Sequence, residues 1–226
     1  MFYGSNLSPL TDAPIVSRTW VKPKGASFVW FTLIGGGGGG AGNVGGGGGS
    51  GSVTKCLMPA FLVPDQLRVQ SDVQSSIFIT YQGPKASAGY TLLTAFNGEN
   101  GSSTDGGIGA NGADRTAFSA AGLYHSSDGQ DSIFNANVPA SAFTFLSAGG
   151  NGNGTIVTPN YGYPPTSASS TAGFFQMSPI PVGRGATTTA AGNGRPGGIG
   201  CGGGGSSGSG DAGGLGGQSM AVIISW

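Results

Sequence analysis

The chain predicts an all-β protein, a β-sandwich with packed polyglycine-II-like glycine-rich segments and little or no helix. Three observations carry that reading. Phe28-Val29-Trp30-Phe31-Thr32-Leu33-Ile34 is a continuous apolar run rich in β-branched and aromatic residues, the pattern of a strand buried on both faces. It passes directly into a segment in which 13 of the 17 residues from 35 to 51 are glycine. A second glycine region, residues 192–217, hands over to Met220-Ala221-Val222-Ile223-Ile224-Ser225-Trp226, again a buried-strand pattern.

Holding glycine in place costs about 0.5–1 kcal/mol more than holding alanine. Over 13 glycines the extra is on the order of 10 kcal/mol, as large as the net stability of a typical domain, about 5–15 kcal/mol. Such a segment is either unstructured or fixed by something strong. It is joined to a core strand and recurs at the other end of the chain, which favours order. Without a Cβ, extended left-handed threefold chains approach closely enough for N–H···O=C bonds, with Cα–H···O contacts in support. Pairing Phe28–Ile34 with Met220–Ser225 would set the two glycine regions side by side.

In chain order, residues 1–19 carry Pro9 and Pro14 without periodicity and read as an extended arm, ordered only against a partner surface. Residues 20–226 read as one glycine-rich β-sandwich domain. Trp20 to Gly25 is a short strand and turn, punctuated by Pro23 and Gly25. Strand-length runs follow at 53–58, 67–69, 77–81 and 90–96, each bounded by Pro, Gly, Asn or Asp. Residues 97–112 read as a loop. Residues 114–121, with Asp114 as cap and Gly122 as stop, are the one helix the pattern allows. The expected scaffold positions are Trp20, Phe28, Trp30, Gly35, Gly37, Gly40, Ile223 and Trp226.

Composition excludes several classes. Nine basic and nine acidic residues leave a formal net charge of zero, and Lys and Arg are scattered, which is not the footprint of a nucleic-acid binder. Aliphatic content with only 8% charged residues is unlike an ordinary disordered chain. No run is long and apolar enough to span a membrane, and the first ten residues lack the basic and apolar regions of a secretory signal. Cys56 and Cys201 either bridge the two glycine-rich regions or remain buried thiols, the latter agreeing with the missing signal.

Motifs for chemistry fail on context. Gly35-x-Gly37-x-x-Gly40 follows a strand but opens no helix, and no acidic residue stands about twenty positions on, so it is no dinucleotide site. Without a Gly-Lys dipeptide there is no P-loop. Residues 204–208 fit the nucleophile elbow in letters only, and His125 precedes its serine. One histidine and two cysteines do not close a zinc site without carboxylates. Residues 106–111 approach one imperfect calcium-binding nonapeptide repeat, which cannot bind without stacked copies. Asp105, Asp128 and Asp131 are either loop ligands for calcium or solvated turn acids, the second being the commoner use. No catalytic residue, metal site or cofactor is expected. Tyr161-Gly162-Tyr163-Pro164-Pro165, then Phe174-Phe175, has the composition of contact loops, rigid aromatics among small adaptable residues; the Phe pair equally suits a core.

Trp20-Val21-Lys22-Pro23-x-Gly25-Ala26, the run ending at Ile34-Gly35, Val63-Pro64 before Leu67-Arg68-Val69, and Gly216-Gly217 before Val222-Ile223-Ile224-Ser225-Trp226 resemble the glycine-rich domain of tailed-bacteriophage virion proteins. The resemblance spans residues 20–226 and leaves the arm outside. More distantly the chain is similar to the tip adhesins of T-even-type long tail fibres, in which polyglycine helices pack as a sandwich and intervening loops touch the bacterial receptor. Its glycine regions are fewer, two dense ones and weaker ones near 101–112 and 149–154.

The resemblance implies a non-enzymatic structural protein of the virion, made in the host cytoplasm and displayed on the particle surface. Its first form is a tail or fibre-tip attachment protein that binds a bacterial surface receptor, with Tyr161, Tyr163, Phe174 and Phe175 as contact residues. Its second is a head decoration or head-fibre protein whose loops pack on neighbours. A free ice-binding or matrix protein would want a regular three-residue repeat and an export signal. The expected partners are other virion proteins, met through the arm, and further copies of the chain, a trimer by analogy, with no nucleic acid and no membrane insertion.

Overall fold

The computed structural model describes residues 2–4, 16–71, 76–82, 89–112, 124–129, 131–132, 193–206 and 208–226. The described strands are β1 (Phe2–Gly4), β2 (Val16–Val21), β3 (Phe28–Ile34), β4 (Val53–Pro59), β5 (Gln66–Ser71), β6 (Ile77–Tyr81), β7 (Tyr90–Ala95), β8 (Tyr124–Ser127) and β9 (Met220–Ser225). A single 3₁₀ turn, Ala60–Leu62, is the only helical element among the described residues. The fold is an all-β sandwich of two antiparallel sheets, ordered β1-β9-β3-β4-β8 and β2-β5-β6-β7.

β3 lies at the centre of the larger sheet, as its unbroken apolar run requires. Phe31 stands opposite Cys56 of β4 on one side and Ile223 of β9 on the other, so the pairing of Phe28–Ile34 with Met220–Ser225 is present. Val29, Phe31 and Leu33 alternate inward onto Leu67, Val69, Ile77, Ile79, Leu93 and Ala95 of the second sheet. Trp20 of β2 meets Phe31 edge-on at 6.5 Å, a favoured aromatic geometry.

Four strands meet the glycine-rich segments at one end of the sandwich. β3 runs on into residues 35–41, β4 is entered from 45–52, β7 runs on into 97–102, and β9 is entered from 211–219. Gly35, Gly38 and Ala41 donate to the carbonyls of Ser52, Gly49 and Gly46, each at 2.9 Å, while Gly37 and Gly40 donate to Gly217 and Gly214. The carbonyls of Gly36 and Gly39 accept from Gly98 and Gly101, and those of Gly38 and Ala41 from Gly203 and Ser206. One segment therefore bonds to four others, and to each with a period of three residues. A strand in a sheet has two neighbours and a period of two. This is a three-dimensional hydrogen-bonded layer. Its density explains the composition: a Cβ on Gly37 would collide with the Cys201 carbonyl, and one on Gly38 with that of Glu99.

The layer is fixed to the sandwich by a small apolar cluster. Ile34 and Val53, directly opposite each other, pack with Cys201, Ile199 and Met220. Cys201 and Cys56 are both buried and not bridged to each other, so the disulfide alternative is not the one adopted.

Three features differ from the expectations. Residues 97–112, read as a loop, supply two segments of the layer: Glu99 donates to Ile108, and Gly107 and Ala110 donate to Gly47 and Ser50. Sparse glycine among Asn, Ser and Asp hides that order, although Gly98, Gly101, Gly106 and Gly107 each lack room for a Cβ. β8 was missed since Tyr-His-Ser-Ser has no alternation; it pairs with β4 from Cys56↔Tyr124 to Val53↔Ser127. The domain start drawn at Trp20 falls inside β2, which pairs with β5 from Val16↔Ser71 to Val21↔Gln66, and Phe2–Gly4 lies beside β9. Ser17, Arg18 and Thr19 are exposed, so nothing in their polarity marks a strand.

Candidate functional site

Strand direction gives the molecule two chemically different ends. The end away from the glycine layer, where β3 begins and β9 stops, gathers apolar side chains. Phe28 stacks on Trp226 with ring centroids 6.0 Å apart. The Trp226 carbonyl accepts from the main chain of Ser27 and Phe28, and the Ser27 carbonyl accepts from Ala60, so the 3₁₀ turn sits beside the pair. Phe61 is 83% exposed there, with Leu62 and Val21 also exposed. Lys22 braces this end: its ammonium donates to the Val63 carbonyl at 2.7 Å and the Ala60 carbonyl at 3.0 Å and pairs with Asp65 at 2.9 Å. These exposed apolar side chains make this end the candidate contact surface among the described residues.

The other end is polar and made of turns. Residues 42–44, 103–105 and 208–210 reverse the chain at the far side of the layer. Asn43 and Val44 both have positive φ, 55° and 62°. Two consecutive positive-φ residues turn the chain most tightly, and for a β-branched valine that conformation is an outlier. The Asn43 side chain accepts from Gly210 at 2.7 Å, and its main-chain N–H donates to the Asp211 carbonyl. Ser102, Ser103, Thr104, Asp105, Asn193, Arg195 and Ser209 are exposed around it. Ser132 donates to Gly107 and Asn193 accepts from Ala212, so the chain passes out of the described residues after 132 and back into them at 193 on this same polar end.

The expected contact residues Tyr161, Tyr163, Phe174 and Phe175 lie outside the described residues, as do the expected helix at 114–121 and the glycines near 149–154. Of the expected scaffold residues, Trp20 and Ile223 are buried, and Trp30 is half-buried with its indole donating to Thr32 at 2.8 Å. Gly35, Gly37 and Gly40 are bonded within the layer, while Phe28 and Trp226 form the exposed stack. Sequence reasoning missed Phe61 and Asn43. The first lies between Pro59 and Pro64 in a run that reads as strand, and the second is a lone amide between two polyglycine tracts, which was itself a turn signal.

The chemistry-like motifs are otherwise engaged. The N–H groups of Gly37 and Gly40 donate to the protein's own carbonyls, so this glycine pattern offers no cradle for phosphate. Asp131 accepts from Gly109 at 2.7 Å and Asp128 from Gly112 at 2.6 Å, both main-chain donors, and Asp105 accepts from the Thr104 hydroxyl at 2.9 Å. Among the described residues no three His, Cys, Asp or Glu side chains gather as a metal-holding group, and no helix is long and apolar enough to cross a membrane.

Neither the protein-family models nor the curated proteins nor the solved structures contain a match to this chain.

Proposed function

We propose that the chain is a non-enzymatic structural protein of a tailed-bacteriophage virion, acting as an attachment protein at a tail or fibre tip, its glycine layer packed in the manner of polyglycine II. The observation that supports this reading is the division of the molecule into an apolar end and a polar end of turns. An attachment protein needs one surface that stays fixed to its particle and another that meets hydroxyl-rich or peptide surfaces. Phe28, Phe61, Leu62 and Trp226 suit the first role. The turns around Asn43, Asp105 and Asn193, together with the stretch from 133 to 192 that joins the described residues at the same end, suit the second. Tyr161 and Tyr163 fall within that stretch, so their assignment as receptor contacts belongs to this proposal.

The deciding experiment is immunogold labelling of intact particles with an antibody to the chain, combined with an attachment-blocking assay. Label at the tail extremity with blocked attachment is the expected result. Label over the head would make the chain a decoration or head-fibre protein, and particles without label would end the virion reading.

A further inference from the structure

Segment 35–41 has fewer neighbours than its geometry allows. An extended threefold chain sends out its N–H groups in three rows and its carbonyls in three more, so close packing gives it six neighbours. Among the described residues this one bonds to four: 45–52 and 211–217 take its donors, while 97–102 and 200–206 donate to its carbonyls. The four are contiguous around it. Gly46 and Gly49 donate to Ser102 and Glu99, Gly48 and Gly51 to Gly203 and Gly200, and Gly214 and Gly217 to Gly204 and Cys201. The order about the segment is therefore 97–102, 45–52, 200–206, 211–217, and the two remaining places lie side by side between the last and the first. Segments 97–102 and 211–217 thus flank 35–41 on opposite sides, and the three form one flat row.

Exposure follows the same division. Every residue from 45 to 52 is buried, whereas Gly37 and residues 39–42 are only half-buried. The backbone groups that point to the two open places are those the layer leaves over. Gly39 donates only to the Asn100 side chain, at 2.7 Å, and the N–H groups of Gly36 and Gly42 meet no acceptor among the described residues. The Gly37 and Gly40 carbonyls accept no N–H among the same residues. A Cβ on Gly216 or Gly213 would overlap them, so it is Cα–H groups that meet these two oxygens. A Cβ on Gly39 has nothing nearer than Asn100 Oδ1 and the Gly214 carbonyl, both at 3.5 Å, which sets Gly39 on the open side between the flanking segments. One segment thus shows a donor row and an acceptor row, each repeating every three residues, about 9 Å.

We propose that this row is a self-association face whose occupant is a second copy of the same chain. Reaching these groups takes a backbone with the same three-residue repeat and no Cβ on the approaching side, and the row itself is such a surface. A twofold contact needs a patch complementary to itself. A strip bearing both donors and acceptors meets that need when the partner runs in the opposite direction. Nor do the copies repel, since nine basic and nine acidic residues leave a formal net charge of zero. The row measures about 15 Å by 20 Å, roughly 300 Å² per copy against about 800 Å² for a standard interface, so the pairing is weak and fills where copies are held close together. It uses the side of the layer and leaves both ends of the molecule free. The face is independent of which particle carries the chain.

The test is sedimentation equilibrium of the full chain from micromolar to millimolar concentration, with amide shifts followed by nuclear magnetic resonance over the same range. The expected result is reversible monomer–dimer exchange with concentration-dependent shifts at Gly37, Gly39 and Gly40. Gly39→Leu, whose side chain enters open space in the monomer and stands in the partner's way, retains the wild-type Tm and weakens association about tenfold or more. Gly39→Ala, the smaller change, weakens it in the same direction. Ile108→Asp, at an exposed position outside the row, associates as the wild type does. A chain that stays monomeric at millimolar concentration, undiminished association in both Gly39 variants, or loss of association in Ile108→Asp overturns the face. Loss in Phe61→Asp with both Gly39 variants unaffected also overturns it and moves the contact to the apolar end.

Discussion

Thr54 of β4 reaches across the sandwich to β7, its hydroxyl donating to the Thr94 carbonyl at 2.7 Å and lying 2.9 Å from Ser126 Oγ of β8. Two positions earlier, Ser52 Oγ accepts from the Phe96 N–H at 2.8 Å. Both side chains are fully buried. They join the sheets where each becomes glycine-rich, so the sandwich cannot open there without breaking polar bonds in a dry place. Thr54→Val keeps the shape and removes the bonds; it is expected to cost about 1–2 kcal/mol, read from the urea midpoint. A midpoint equal to that of wild type would mean the hydroxyl is idle.

The glycine layer predicts opposite outcomes at neighbouring positions. A Cβ on Gly38 collides with the Glu99 carbonyl, whereas one on Gly39 finds nothing nearer than 3.5 Å. Gly38→Ala is expected to cost about 3 kcal/mol or more. Gly39→Ala stays within about 1 kcal/mol of wild type, on the stabilising side, because alanine restricts the unfolded chain. Equal effects in chemical denaturation would show that the layer is not packed as described.

Burial pushes the Cys56 thiol up to about 11. The folded state then holds the proton more tightly than the unfolded chain, so this contribution is complete below the ordinary thiol pKa near 9 and is lost as pH rises from 9 towards 11. The neighbouring Lys55 is shifted down by burial, which acts in the opposite sense over its own range. The comparison that isolates the thiol is Cys56→Ala against wild type: the wild type alone should show the added loss of stability between pH 9 and 11. At pH 8 a thiol reagent should modify Cys56 only on unfolding.

Phe61, at 83% exposure, contributes almost nothing to the sandwich. Phe61→Asp is therefore expected to leave Tm unchanged, since surface substitutions lie within about 0.5 kcal/mol. Under the virion proposal it should sharply reduce incorporation of the chain into particles, measured by immunoblot of purified virions. Normal incorporation would move the fixed surface away from the apolar end.

The sandwich was legible because β3 and β9 are unbroken apolar runs and their glycine flanks are mirror images along the chain. That symmetry predicted their pairing, and Phe31 does lie between Cys56 and Ile223. The layer was legible only where glycine is dense. At 97–112 the same bonding is made by segments in which Asn100, Ser102, Ile108 and Ala110 occupy the positions with room, and no hydrophobic period exists to reveal it. The polar end was opaque for another reason. Asn43 and Asp211 are far apart in sequence and meet only because the layer folds two turns against each other.

The three-residue period of the layer also constrains how such a chain can change length. Removing one residue from 35–41 would turn everything beyond it by a third of a revolution, sending Ala41 into a neighbour's carbonyl and the small glycine edge into open space. Removing three, with a matching loss in each of the four segments it bonds to, keeps the remaining donors on equivalent acceptors. The layer thus imposes a reading frame of its own on the protein: its segments can grow or shrink only together, and in triplets of amino acids.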